Sequence, residues 1–410
     1  MVRHLEPIGR TKMLAVATTI AISVVACSSS SEGEGTTSAA VSDTATTTME
    51  TAPPSTTSST VADPAYDFSD VSELMDGFVA GHGLTGAGLV VVERNAGVVH
   101  EEYWGEFYAD RTSLIASASK MLSAGVLLKL DDDGVLDIDA SVSDTVEWGS
   151  RNPDITPAQL LSNSSGLVGI YPDPVYLPYI CQYLPEPSLQ NCAESIFTTT
   201  DDDDDVIAPD TMFRYGGGQW QVAGAVAEVA SGRSWSALVE ETYVEPCGLD
   251  PGSLGYSNYI SQIGNGIDYP PEFNGDPFSL VVTDNPNVEA GAYATPTVFA
   301  EVLLMYLRGG ECGDGQKALS QQAIDRMVAD RIDEVFGGSA GPGRGYGLGW
   351  WVDRQGGFVY SVGAYGAVPT LHLGDGFGYY LVLEANETTW QAIAEPLDAA
   401  IEAVVLAARD

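Results

Sequence analysis

The sequence predicts a mixed α/β (α+β) fold: an antiparallel sheet flanked by helices, with a helical region inserted into it. Three observations lead there. Strand-like alternation sits near both ends of the foldable part. The middle, about residues 145–285, is rich in Pro, Asn, Asp and Gly and carries helical pieces. An apolar-faced helix closes the chain. Strands at both ends around a helical middle imply one sheet built from both termini.

The folded part starts near Tyr66. Residues 70–81 have helical spacing, with Val71, Leu74, Phe78 and Val79 on one side. Residues 86–93 and 98–107 are β-rich and separated by Asn95-Ala96-Gly97, which reads as a hairpin. Residues 117–130 read as a helix burying Met121, Ala124, Leu127 and Leu128, ended by Asp131-Asp132-Asp133-Gly134. Helical pieces follow at 156–161, 219–231, 235–244, 295–308 and 321–328. Strands are expected at 347–353, 357–362, 368–373 and 378–384, then the closing helix 390–407.

The 410 residues, 44% hydrophobic with seven tryptophans, suffice for one large domain, placed at 66–408. Residues 1–26 read as a signal segment. Arg3, His4, Arg10 and Lys12 make a basic start, and residues 13–26 are an apolar run too short to span a bilayer comfortably. Val24-Val25-Ala26-Cys27 resembles a bacterial lipobox, in which Cys27 becomes the lipidated first residue. The alternative is an ordinary secretory signal with a chance cysteine. Residues 27–65, rich in Ser, Thr and Ala, read as a disordered tether. Export to the cell envelope is the expectation.

Four cysteines follow Cys27: Cys181, Cys192, Cys247 and Cys312. An even count in an exported protein points to two disulfides. Three pairings are open. Cys181–Cys192, closing a short Pro/Tyr-rich loop, with Cys247–Cys312 is preferred. No Cys/His cluster has zinc spacing, so no metal and no cofactor are expected. Asp201 to Asp205 reads as a solvated acidic loop rather than a calcium site. The formal charge is -40; without residues 1–26 it is near -42, with 14 cations against 56 acids. Nothing would neutralise phosphates, which excludes nucleic acid as a partner. Membrane association would come only through Cys27.

Ser117 and Lys120 lie three residues apart and face one side of a helix. If Ser117 opens that helix, its N–H and the helix dipole favour an anion in the cleft. The chain has only four lysines: Lys12, Lys120, Lys129 and Lys317. No histidine is a natural partner by motif, so Lys120 is the local base, provided it loses its proton near neutral pH. A second group must hand that proton to the leaving group. Tyr215, just before Gly216-Gly217-Gly218, is the candidate.

The order of segments resembles the serine β-lactamase-like family, especially its class C β-lactamase, D-Ala-D-Ala carboxypeptidase and family VIII esterase branch. Ile115 to Lys120 looks like the first motif, Ser-x-x-Lys. Asp132-Asp133-Gly134-Val135-Leu136-Asp137-Ile138-Asp139 resembles a Gly-x-Leu-x-Leu-Asp segment. Leu160-Leu161-Ser162-Asn163-Ser164-Ser165-Gly166-Leu167 resembles Leu-Leu-x-His/Asn-x-Ser-Gly-Leu. Tyr215 falls on the tyrosine of Tyr-x-Asn, and Tyr346-Gly347-Leu348-Gly349-Trp350 matches another segment. The resemblance covers about residues 66–408. It implies acylated Ser117, Lys120 as its base and Tyr215 as proton shuttle. It also implies an oxyanion hole from the N–H groups of Ser117 and Ala364, and a third motif at Ser361-Val362-Gly363. Gly217, Gln219, Ser361 and Gly363 are the expected substrate-site residues, with Ser361 either a site-lining hydroxyl or a plain strand residue; Asn163 is grouped with them as a structural residue holding a loop near the cleft. Tyr171, Tyr176 and Tyr179 either line the acyl pocket or pack a loop.

Two departures stand out. The asparagine of Tyr-x-Asn is Gly217, with Gln219 a candidate replacement for its amide. The Lys/His of the third motif is Ser361, so the cation that helps hold a substrate carboxylate is absent, with Arg344 or Arg354 as candidate substitutes. The expected function is therefore an extracytoplasmic serine hydrolase cleaving ester or amide bonds, leaning to carboxylesterase. A D-Ala-D-Ala carboxypeptidase or β-lactamase is the alternative within the fold. A non-catalytic binding or sensor protein is the alternative outside enzymology.

Overall fold

The computed structural model describes residues 66–170, 175–258, 268–280, 282–332, 336 and 340–409. The expected leader, Cys27, the tether and Tyr171 lie outside the described residues.

Helix α1 (Ser69–His82) is followed by strands β1 (Gly86–Glu93) and β2 (Gly97–Gly105). The Glu93 carboxylate accepts the N–H groups of Asn95 and Ala96 and so fixes the turn between them. β3 (Ser113–Leu114), β4 (Leu254–Tyr256) and β5 (Ala292–Ala294) form a small antiparallel sheet that the sequence did not suggest. β6 (Arg344–Tyr346), β7 (Trp351–Asp353), β8 (Val359–Tyr360), β9 (Ala367–His372) and β10 (Phe377–Val382) complete the main sheet. Its order is β2-β1-β10-β9-β8-β7-β6, antiparallel throughout. Both termini build it, as expected.

Period-2 alternation explains why β1 is apolar at every interior position. Leu89 and Val91 pack on the outer layer with Val71, Met75 and Phe78 of α1. The same layer holds Leu397, Ile401 and Val405 of the closing helix, which is split into α10 (Glu387–Gln391) and α11 (Ala394–Ala407). Val90 and Val92 face the inner layer, where α2 (Ser119–Asp132) and α8 (Pro296–Leu307) lie. Phe299 of α8 stacks on Tyr380 of β10 at 3.9 Å between ring centroids. α2 is buried nearly all round, not on one face alone: Leu122, Ser123, Gly125 and Val126 are enclosed along with the expected side.

The helical middle holds α3 (Pro157–Leu161), started by a Thr156/Gln159 capping box, and α4 (Leu189–Thr198). α5 (Gly218–Ser231) runs through the core. α6 (Trp235–Val239) continues through a π turn into α7 (Glu245–Cys247). α9 (Gln321–Val328) precedes β6. Cys181 is joined to Cys192, tying the 3-10 turn Leu177–Tyr183 to α4, and Cys247 is joined to Cys312.

Three expectations need correction. Ser117 sits in a 3-10 turn (Ala116–Ala118), and the α-helix proper begins at Ser119. The single strand expected over 347–353 is a hairpin, because Gly347 to Gly349 turn back against α9 and α2. The acidic run is not wholly solvated: Asp202 is 3% exposed and accepts the Tyr179 hydroxyl. Burial pushes its carboxyl up.

Candidate active site

The nucleophile corner is a strained turn. Ala116 adopts φ 44°, the left-handed region, while nearly fully buried. A non-glycine residue held there costs about 1–3 kcal/mol. Ser119 holds the turn: its hydroxyl donates to the Ala116 carbonyl at 2.5 Å and accepts the Ala292 N–H at 3.0 Å. Ser117 is thereby turned out at the head of α2, among the turn's first N–H groups, which lack intrahelical acceptors.

Two glycines allow close approach to this corner. A Cβ on Gly363 would fall 1.9 Å from the Ile115 carbonyl, so the Ser361 to Ala364 segment runs directly along residues 115–116. That segment stays in register beyond β8: Ser361 N–H donates to Pro369 O and Gly363 N–H to Ala367 O. Ser361 shares the face of Gly363 by strand alternation. Among the described residues the Ala364 N–H donates to no protein acceptor. Gly349, at φ 81°, packs where a Cβ would sit 2.6 Å from the Lys120 carbonyl. The Tyr346 to Trp350 segment is thus a wedge against the start of α2.

Lys120 is 1% exposed. Its Nζ lies 3.1 Å from Ser117 Oγ and 2.8 Å from the Glu289 carboxylate, with the Glu289 carbonyl at 3.4 Å. The Tyr215 ring covers the ammonium, 4.6 Å from Nζ to centroid. Burial alone would drive the Lys120 ammonium down. The Glu289 carboxylate, helped by Tyr215, outweighs burial and holds it above the ordinary lysine value. Tyr183 also meets Glu289, and burial with that carboxylate pushes its phenol up.

Tyr215 is set by an aromatic frame and a polar bracket. It stacks on Trp351 (5.5 Å) and meets Tyr346 edge-on (6.2 Å). Asn163, at φ 55°, accepts through Oδ1 from Gln219 Nε2 (2.8 Å), Trp220 Nε1 (3.2 Å) and Gly216 N–H (3.4 Å). Gln219 Nε2 also donates to Arg214 O, and its Oε1 accepts from Ser165. Asn163 therefore holds the Tyr215 loop, as its structural reading expects, and Gln219, expected to line the substrate site, is buried and spends its amide on the same loop. Gln219 does not replace the missing amide.

Two side chains crowd that place. A Cβ on Gly217 would lie 2.0 Å from Glu289 Oε1 and 2.1 Å from Gln182 Oε1, and of the two Glu289 is the one bonded to Lys120. The backbone of Glu289 is clamped: the Val288 carbonyl accepts from Ser123 of α2, and the Val288 N–H donates to Gln221 of α5. Asn287 Oδ1 accepts the N–H groups of Glu289 and Ala290. Sequence reasoning missed Glu289 and Tyr183. The available signal was an acidic residue inside an otherwise apolar run just before β5, in a chain lacking a side chain at 217.

Neither candidate cation faces a free site. Arg354 is paired with Asp330 at 2.7 Å, and Arg344 is exposed on edge strand β6. Tyr176, Tyr179, Gln182, Tyr183 and Gly217 line a small pocket of about 10 Å³, room for roughly one water. His372, Asp375 and Glu402 bring potential ligand atoms within 4.8 Å of one another, at the β9–β10 turn and α11. His372 Nε2 is already held there by Asp398 at 2.9 Å.

Residues 71–401 match the family model described as Beta-lactamase. The chain is 24% identical over 346 residues to Penicillin-binding protein 4 of Amycolatopsis lactamdurans, covering 78% of this chain and 86% of that one. Among solved structures it resembles EstCE1, a hydrolase with promiscuous acyltransferase activity, at TM-score 0.63 and 18% identity (82% of this chain, 97% of that one). A variant of simvastatin synthase, LovD, from Aspergillus terreus gives TM-score 0.63 at 16% identity (84% and 96%).

Proposed function

From a chain that belongs to the β-lactamase family of serine hydrolases and acyltransferases, we infer an extracytoplasmic hydrolase of neutral esters or amides that works through an acyl-Ser117 intermediate. The observation that carries this is Lys120 Nζ at 3.1 Å from Ser117 Oγ, beside a third-motif position that holds Ser361 and no cation. Ser117 Oγ attacks the substrate carbonyl and its proton passes to Lys120 once that ammonium has given a proton to solvent. The N–H groups of Ser117 and Ala364 stabilise the oxyanion, a contribution of about 3–4 kcal/mol per donor in comparable sites. Tyr215, over Lys120, carries the proton on to the leaving group. Water then enters by the reverse route and frees the acid. A substrate carboxylate would meet no cation at Ser361, which is why a neutral substrate is favoured. Export and anchoring rest on the leader and Cys27; Cys27→Ala should release the protein from membranes and abolish metabolic labelling with palmitate.

The purified protein is to be incubated with a short-chain p-nitrophenyl ester, nitrocefin and a fluorophosphonate, and adducts mapped by mass spectrometry. Ester turnover above nitrocefin turnover, with the adduct on Ser117, is expected. Absence of both adduct and turnover overturns the enzyme reading. Turnover surviving Ser117→Ala overturns the nucleophile. The likeness to a penicillin-binding protein favours a second reading, a D-Ala-D-Ala peptidase or β-lactamase; nitrocefin acylation faster than ester acylation would select it.

A further inference from the structure

We propose that Glu289 takes the place of the side chain missing at Gly217, and that it sets the pH above which Lys120 can accept the Ser117 proton. This deepens the acyl-Ser117 reading and rests on it. A side chain at 217 would start 2.0 Å from Glu289 Oε1 and 2.1 Å from Gln182 Oε1, so it could reach toward Lys120 only if both gave way. Here Glu289 reaches Lys120 instead, which puts a charge where the Tyr-x-Asn pattern has a neutral group.

The charge has a direct chemical consequence. Glu289 and Lys120 are both enclosed, with side chains 7% and 1% exposed, and meet at 2.8 Å. In so dry a setting the ion pair is barely screened. The other titratable groups facing it are hydroxyls: Tyr183 from the 3-10 turn beside α4, Tyr215 from its loop and Tyr346 from β6. The pair therefore rests as ammonium and carboxylate, and the ammonium donates to Ser117 Oγ. An ammonium has no lone pair for the serine proton. One proton must first leave the pair to solvent. The free amine then takes the Ser117 proton as Oγ bonds to the carbonyl carbon, and the leaving group departs with that proton by way of Tyr215. Acylation should rise with pH as the pair loses its proton. A neutral residue at 289 should let the rise begin lower, since burial alone depresses a lysine.

The sequence makes a direct measurement practical, because the full chain has only four lysines. In protein labelled with 13C at lysine Cε, the Lys120 resonance should titrate above the ordinary lysine value. In Glu289→Gln it should titrate at least one unit lower, which is at least tenfold more free amine at a fixed lower pH. Fluorophosphonate labelling of Ser117 should shift with it, whereas Glu289→Asp should keep the high titration. Should Glu289→Gln fail to fold, Glu289→Met removes the charge at similar length and should show the same fall. Identical Lys120 titration in the wild type and a folded neutral variant overturns the proposal. So does a folded Glu289→Gln that labels at no pH while Glu289→Asp labels, since the carboxylate would then be needed for proton transfer itself. If Lys120 shifts as expected but no variant ever labels Ser117, the proposal for the pair stands and the acyl-enzyme reading fails.

Discussion

The two walls that meet at Lys120 are built differently. One wall is local: residues 115–120 carry the strained turn, the nucleophile and the lysine within six positions, backed by Gly363. The other is assembled from distant pieces, with Asn163, the Tyr215 to Gly217 loop and Glu289 brought together from three separate segments. The local wall brings the Ser117 hydroxyl and the Lys120 ammonium within 3.1 Å. The assembled wall sets a carboxylate 2.8 Å from that ammonium. A site can therefore keep its reacting groups in a familiar order while its electrostatics are rewritten from across the fold.

The largest effect that could break this division is at Tyr215. Tyr215→Phe keeps the ring over Lys120 and removes only the hydroxyl. Acylation measured by stopped flow should fall about 10²- to 10⁴-fold with little change in melting temperature. A loss of stability instead would make the assembled wall structural only. Next comes Lys120→Met, which leaves Glu289 buried without its cation. Denaturant unfolding should show a loss of about 3–5 kcal/mol, and Lys120→Met/Glu289→Met should recover much of it. Equal losses in both variants would mean the pair carries little coupling. Gly217→Ala, whose Cβ meets both Glu289 and Gln182, should cost about 1–3 kcal/mol by overpacking, relieved in part when Glu289→Ala is added. The smallest effect sharpens substrate choice. Ser361→Lys should improve kcat/KM for a carboxylate-bearing ester by roughly fivefold, about 1 kcal/mol, and leave a neutral ester unchanged.

Much of the frame was legible because its signals are short-range. Residues 86–93 read as β-rich, and β1 forms there, with Val90 and Leu89 entering opposite layers. Thr156 to Gln159 predicts a helix start, and the capping box is there. Reading failed where a close approach overrode local pattern. Gly347 to Trp350 look strand-like, yet Gly349 must turn to reach the Lys120 carbonyl. Asp202 reads as one acid in a solvated run until Tyr179 is seen to bury it. Gln219 lies two residues from the missing asparagine, but its place on α5 gives it to Asn163.

The sequence by itself determined the fold class and the two-ended sheet and picked out Ser117, Lys120 and Tyr215 as candidates, because alternation, caps and short motifs depend on neighbours a few residues apart. Only the tertiary structure decided what Lys120 faces. Glu289 is 169 positions away, and its role depends on an empty volume at Gly217 and on clamps from α2 and α5. Coulomb interactions act through space in a poorly screened interior, so the charge state of the central lysine is a property of the packed fold and not of any motif.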